Sequence, residues 1–249
     1  MRLKRLLAVF LLLASLLALV PSAFAAEAEV VRLWGNNRAE TSAAISRDAF
    51  ETAETCLIAD GSNYPDALAG VSLAHAMNAP ILLVSGKVKP ESAVFQEISR
   101  LGAADLLILG GENAVKDEWL EAFSGLTIDR LSGGNRFETA VLIAERLLSL
   151  KGSPETLFFA SSEGFADALS VGAAAAMLAS PVLYLPPSGI PDEATAAFIE
   201  KSGAEKAVIL GGENAVSPDA EAALAEYSLE VSRLWGSDRY ATCLANRSR

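Results

Sequence analysis

The octapeptide ILGGENAV stands at residues 108–115 and again, unchanged, at 209–216. That spacing of 101 residues constrains the chain more than any other feature, because other segments fall into the same register. TCLIADGSNYPDALAG at 55–70 lies over TLFFASSEGFADALSV at 156–171, and APILLVS at 79–85 lies over SPVLYLP at 180–186. RLWGNNRAET at 32–41 matches RLSGGNRFET at 130–139 and RLWGSDRYAT at 233–242. Repeats that must stack in order to fold have periods of about 20–50 residues. A period near 100 predicts domain-sized units, each with its own core.

Two complete units follow, 30–131 and 132–234, with 235–249 opening a third. Within unit two, Phe137–Leu150 carries Ala140, Ile143, Ala144 and Leu147 on one helical face. Thr156–Ala160, Val182–Leu185, Ala207–Leu210 and Leu229–Leu234 read as short strands, nearly all apolar. Helices are predicted between them at Asp167–Ala179, Pro191–Lys201 and Ser217–Tyr227. Unit one repeats the order. All-apolar strands alternating with helices require a mainly parallel sheet covered on both faces. The expected fold class is therefore α/β, with tandem three-layer sandwiches on four-stranded sheets.

The amino terminus predicts export. Arg2, Lys4 and Arg5 precede an apolar run from Leu6 to Val20, and Ala23-Phe24-Ala25 has the small-x-small form of a cleavage site. Residues 1–25 therefore read as a signal peptide, with an uncleaved anchor as the alternative. Their removal takes away three positive charges and no acids, moving the net charge from −11 to −14. Such a balance disfavours nucleic acid, and no later run is long enough to predict a membrane span.

Three recurring features are candidates for chemistry. The first is the arginine of Asn-Arg-x-Glu, present as Arg38 and Arg136, and as Arg239 in a third copy, Asp238-Arg239-Tyr240-Ala241, that keeps the cap and loses the Glu. The Asn and Glu have a capping-box spacing, which explains them structurally. A cation in the first helical turn opposes the helix dipole, so each arginine should pair with a buried carboxylate or receive an anionic ligand. The second is the aspartate of Asp-Ala-Leu, Asp66 and Asp167, expected to meet an arginine within a unit or across the seam between units. The third is the diglycine, Gly110-Gly111 and Gly211-Gly212, after a strand. It is neither G-x-G-x-x-G nor a Walker loop, so it reads as a tight turn rather than a nucleotide site. Acids do not recur in pairs: Asp60 becomes Ser161, and Glu163 lies over Ser62. One histidine, His75, and two cysteines, Cys56 and Cys243, leave no catalytic set, metal site or cofactor to propose. The cysteines read as two buried small side chains, with a Cys56–Cys243 disulfide as the alternative. Trp34, Trp119 and Trp235 could stack on sugars, but Ser132 replaces Trp34 in unit two, which favours a core or seam role.

The ordered set RLxGxxRxxT, DALA, APILL, ILGGENAV and RLxG resembles the cell-wall-binding repeat, type 2, from about Val30 to Ser237. The resemblance implies a Toprim-like fold in each unit and a non-catalytic role on the surface of Gram-positive bacteria. It implies non-covalent anchoring to an anionic wall polysaccharide or teichoic-acid-like polymer, for which the recurring Arg38, Asp66, Gly110, Gly111, Arg136, Asp167, Gly211, Gly212 and Arg239 are the candidate binding residues. Members of the family carry three such repeats about a pseudo-threefold axis. The third repeat here stops after its opening, so the chain is expected to be truncated or frameshifted, or to complete a trio by self-association. The alternatives are an exported two-lobe small-ligand-binding protein and a part of a peptidoglycan amidase.

Overall fold

The computed structural model describes residues 30–245; the expected signal peptide and residues 246–249 lie outside that span. In the first repeat, helix α1 (Arg38–Ala49) leads to β1 (Thr55–Asp60), α2 (Pro65–Ala69), α3 (Val71–Ala76), β2 (Ile81–Val84), α4 (Ala93–Leu101), β3 (Asp105–Leu109), a 3₁₀ helix (Asp117–Phe123) and β4 (Thr127–Leu131). The second runs α5 (Arg136–Lys151), β5 (Thr156–Ser161), α6 (Ala166–Met177), β6 (Val182–Leu185), α7 (Glu193–Ser202), β7 (Lys206–Leu210), α8 (Asp219–Ala225) and β8 (Glu230–Leu234). Helix α9 (Arg239–Ala245) opens the third.

Local sequence explains the helix ends. Asn37 and Asn135 accept the amides of Glu40 and Glu138 at 2.9 and 3.0 Å. Asp238 accepts that of Ala241 at 2.8 Å, so all three Asn/Asp-Arg motifs cap a helix. Helices α4 and α7 both end on a left-handed glycine, Gly102 (φ 68°) and Gly203 (φ 72°). Helix α7 starts at Glu193 behind an Asp192 cap, two residues later than the proline at 191 suggested.

Each repeat forms a four-stranded parallel sheet, in the orders β2-β1-β3-β4 and β6-β5-β7-β8. Side chains alternate across the sheet, so two layers bury different residues. On one face of the first sheet, Cys56, Ile58, Leu82, Leu106 and Ile108 pack with Val94, Ile98 and Leu101 of α4. The other face presents Leu57, Ala59, Leu107 and Leu109.

This second face corrects the expectation of self-contained units. Its residues belong to one continuous core with Val141, Ala144 and Leu147 of α5 and with the strands of the second sheet. Helix α5 packs on its own β6 and α7 and also against α2 and α3 of the first repeat. The helix is apolar over a broad arc, so one repeat alone would leave part of that arc in water. Two buried hydrogen bonds cross the same boundary: Tyr184 Oη donates to the Pro65 carbonyl and Ser72 Oγ to the Ser180 carbonyl, both at 2.7 Å.

Cys56 is fully buried and Cys243 exposed, and both are free thiols. The reading of two buried cysteines holds for Cys56 alone. Burial, helped by the nearby Glu97 charge, pushes the Cys56 thiol up to about 12. A core role likewise fails for two tryptophans. Trp34 and Trp235 are exposed, and Trp119 packs at the edge of the first-repeat core. No described helix is long and apolar enough to cross a membrane.

Candidate functional site at the seams between repeats

Strand β1 has β2 on one side and β3 on the other, so the connections leaving β1 and β3 diverge. In open parallel sheets this switch point, at the carboxyl ends of the strands, is where ligands bind. Asp66 follows β1 and Gly110-Gly111 follows β3. Asp167 and Gly211-Gly212 take the same places at β5 and β7.

The diglycine and the aspartate are one device. Gly110 has φ 99° and Gly211 φ 98°, which side chains other than glycine rarely adopt. A Cβ on Gly110 would strike Asp66 Oδ2, and one on Gly211 would lie 2.6 Å from Asp167 Oδ2. The carboxylate therefore lies on the bare Cα of the turn. The following residues close tightly: Ala114 and Val115 both donate to the Gly111 carbonyl, at 2.9 and 3.0 Å. Ala215 and Val216 repeat this on Gly212 at 2.9 and 3.1 Å.

An arginine not singled out from the sequence staples the turn. Arg130 donates to the carbonyls of Gly110 (2.6 Å) and Val115 (2.9 Å) and pairs with Asp117 at 2.5 Å. Arg233 donates to the carbonyls of Gly211 (3.0 Å) and Val216 (2.9 Å) and pairs with Glu221 at 2.6 Å. The signal was present in the recurring RLxG, which sets this arginine at the end of the last strand of each unit.

The other arginine belongs to the seam. Arg38 donates to the Gly61 carbonyl at 2.9 Å, and Arg136 donates to the Ser162 carbonyl. Each thus anchors on the loop after the first strand of its own repeat. Its charge, however, reaches the aspartate of the repeat before: Arg136 acts on Asp66 and Arg239 on Asp167. Of the two expected Arg–Asp arrangements, the one across the seam brings both groups to one cleft: Asp66 with Arg136, and Asp167 with Arg239. It is electrostatic, since no hydrogen-bonded Arg–Asp pair forms there among the described residues. Burial raises the Asp66 carboxyl above its ordinary range, opposed by Arg136 and reinforced by Asp60. Burial also raises Asp167, opposed by Arg239. Partly desolvated carboxylates beside a cation, in an open cleft, are a functional signature.

Two clefts result. The first, about 210 Å³, is lined by Asp66, Gly111, Asn113, Asn135 and Arg136 among others. The second, about 760 Å³, is lined by their counterparts Asp167, Gly212, Asn214, Asp238 and Arg239, with Trp235 added. Six of the nine candidate residues line one cleft or the other, and Gly110 and Gly211 floor the turns beneath. Arg38 lines a separate cavity of about 300 Å³ with Tyr64, Leu83 and Phe165. Among the described residues no group of three or more His, Cys, Asp or Glu is placed to hold a metal ion.

The sequence matches the family model "Cell wall binding domain 2 (CWB2)" twice, over residues 32–120 and 130–221. It is 30% identical over 228 residues to the N-acetylmuramoyl-L-alanine amidase LytC of Bacillus subtilis, covering 90% of this chain and 44% of that protein. It is 26% identical over 210 residues to the amidase enhancer of the same organism, covering 84% of this chain and 28% of that protein. Cwp8 from Clostridium difficile superposes with a TM-score of 0.76 at 32% identity, over 86% of this chain and 36% of that one. Cwp6 from the same organism, at 23% identity, shows the fold alone, with a TM-score of 0.77 over 89% of this chain and 37% of that one. The chain thus spans less than half the length of each of these relatives. Both family matches fall on the sheets whose seams build the clefts, which makes the chain a wall-binding module. It belongs to the cell wall binding domain 2 family.

Proposed function

We propose that the chain is an exported, non-catalytic anchor that holds an anionic secondary wall polymer in the clefts between its repeats. The observation that carries this is the twofold recurrence of one arrangement: a desolvated aspartate on a diglycine turn, faced by the arginine of the next repeat. The binding residues are Asp66, Gly110, Gly111 and Arg136 at the first seam and Asp167, Gly211, Gly212 and Arg239 at the second. Arg38 is the same arginine in the first repeat. The working units are 30–131 and 132–234, after a cleaved signal peptide at 1–25 and before a third repeat opening at 235. The Toprim-like description of each unit and a Gram-positive surface as the location belong to the same reading.

An acidic protein gains nothing from long-range attraction to an acidic polymer. Binding then depends on short-range donors: arginine forks and turn amides, which distinguish phosphate or carboxylate by geometry. Weak sites at fixed spacing on a repeating polymer raise avidity by about 10²–10⁴. The test is sedimentation of the mature chain with purified walls, before and after the secondary polymer is stripped. Retention that disappears on stripping is expected. Retention that survives it, or turnover of peptidoglycan, would overturn the reading.

Self-association is the second part of the proposal, and one observation favours it. The apolar face of the first sheet is closed by the sixteen residues of α5. Among the described residues, the matching face of the second sheet carries an apolar groove of about 690 Å³, lined by Phe158, Val171, Met177, Leu178, Val208 and Leu234. Helix α1 offers a complementary knob: Ile45 is 49% exposed, whereas its counterpart Ile143 is 2% exposed under the first repeat. A second copy that inserts the Ile45 face into the groove buries both. Sedimentation velocity should show a concentration-dependent dimer that Ile45→Lys abolishes. A monomer at every concentration would exclude it.

A further inference from the structure

A carboxylate opposes the binding of an anion, yet the first cleft, between the two family-matched repeats, sets Asp66 beside Arg136. Asp66 does not cap its own helix. It stands in the first turn of α2, whose start has no side-chain cap. Its half-buried carboxylate lies on the bare Cα of Gly110 and accepts no hydrogen bond from a described residue. An acceptor held partly away from water without a donor is costly, and the cost falls when a ligand supplies one.

Most of the polar groups around it are already matched. Asn135 accepts the amides of Phe137 and Glu138 and donates to the Glu138 carboxylate. Glu138 also accepts the Gly134 amide at 2.7 Å, and Thr139 accepts the Gly133 amide at 3.1 Å. Asp60 accepts from Ser62. Arg136 is tethered through Nη1 to the Ser162 carbonyl, which leaves Nε and Nη2 without a described partner. Arg136 acts on Asp66 only through space. Two charges of opposite sign thus share one cleft of about 210 Å³ without satisfying each other.

The charges define the occupant. Those that act on Asp66 are the cation of Arg136 and the anion of Asp60, so with Asp66 itself the group is net negative. A purely anionic segment on Arg136 would set a further negative charge beside a carboxyl that burial and Asp60 already raise. A segment that also carries an ammonium gives each unmatched charge a partner: the guanidinium fork takes the anion and the carboxylate takes the cation. The whole chain points the same way, with 31 acidic residues against 20 basic ones. We infer that the first cleft selects a zwitterionic stretch of the wall polymer, with its phosphate or carboxylate on Arg136 and a neighbouring primary ammonium on Asp66. Aminoacyl esters and unacetylated amino sugars both supply such a group. This rests on the wall-binding reading and adds the class of ligand and a role for the aspartate.

The test follows sedimentation with purified Bacillus subtilis walls and binding of the soluble polymer released from them. N-acetylation of the polymer amines should weaken binding by the parent chain about tenfold, the scale of one charge-assisted contact. Asp66→Asn keeps the size and an acceptor oxygen but removes the charge. It should show the same loss on untreated polymer and no further loss after acetylation. Mild alkali separates the two sources, since it cleaves aminoacyl esters and spares amino sugars. A loss already at that step assigns the ester, and a loss only after acetylation assigns the amino sugar. Circular dichroism establishes that the variant is folded, and the acetylation arm uses the parent chain alone. Parent binding that acetylation leaves unchanged, or Asp66→Asn binding at least as tightly as the parent, would overturn the zwitterion while leaving the wall anchor standing. Failure of the parent chain itself to sediment with untreated walls would remove both.

Discussion

At one matching point the two repeats bury opposite chemistries. In the first, α4 turns Glu97 into the protein, where its side chain is 0% exposed. It accepts from Ser46 of α1 at 2.7 Å and from Arg100 at 2.9 and 2.7 Å. In the second, the position is Phe198, also fully buried, and Ala144 replaces Ser46. One joint is a charge satisfied on every side; the other is hydrocarbon. Both hold the first helix of the repeat to the helix after the second strand. The fold therefore specifies that this joint be filled and satisfied, and leaves the chemistry open.

The comparison is broken most severely by emptying the apolar joint. Phe198→Ala leaves a cavity among Ala144, Leu147 and the second sheet and should cost about 3–5 kcal/mol. Urea unfolding would report it, with no dependence on pH. A loss below about 1 kcal/mol would mean that the helices collapse onto each other.

Glu97→Gln should cost somewhat less, about 2–3 kcal/mol at neutral pH, because it removes the charge from hydrogen bonds that depend on it. Here pH separates the joints. Burial alone would raise the Glu97 carboxyl, but hydrogen bonds from Arg100 and Ser46 and the charges of Arg100 and Arg47 outweigh it and hold the carboxyl below its ordinary range. A lowered folded pKa adds stability above the unfolded value of about 4.3, and that stability is lost as pH falls through the folded pKa. The urea midpoint of the parent chain should thus fall below about pH 4 more steeply than that of Glu97→Gln. Parallel profiles would refute the linkage.

These two joints also show what the sequence could carry. Strands, helices and the register of 101 residues were legible because apolar periodicity and turn residues are local. Even the Glu97/Phe198 difference is visible as a departure from the repeat. The partner of each residue was not. Repetition makes Arg38, Arg136 and Arg239 equivalent on paper, so Asp66 could meet the arginine of its own unit or of the next, and only the packing of α5 on α2 and α3 decides. The shared core was hidden for the same reason: a period the size of a domain reads as self-sufficient, whereas α5 has two faces to cover. Trp235 was set aside because Ser132 replaces its counterpart; the structure puts it on the wall of the second cleft.

The tie across the first seam sharpens the contrast between a joint within a repeat and one between repeats. Tyr184 has no hydroxyl-bearing counterpart in the first repeat, where the position is Leu83. Its buried Oη fixes the carbonyl of Pro65, one residue before Asp66, and burial pushes its phenol well above the ordinary range. Tyr184→Phe should cost about 1 kcal/mol, since it removes a buried hydrogen bond across the seam. It should also loosen Asp66, so wall retention should fall more than stability alone explains. Retention that tracks stability would make Tyr184 a packing residue only.

The smallest effect is expected at the surface of the same seam. Arg146 of α5 reaches back to Asp129 of β4 at 2.9 Å, bonding the second repeat to the first. The side chains are 37% and 58% exposed, so water screens the pair and two long side chains lose freedom in forming it. The Arg146 guanidinium nevertheless holds Asp129 below the usual carboxylate range by a direct hydrogen bond, with the Arg130 amide adding to it. Arg146→Ala should therefore cost less than about 1 kcal/mol, and the difference from the parent should shrink between low and high salt as the Debye length falls from about 30 to about 3 Å. A salt-independent loss larger than this would show that the aliphatic stem of Arg146 contributes more than its charge. The boundary between repeats would then be held by hydrocarbon at its rim as well as at its centre.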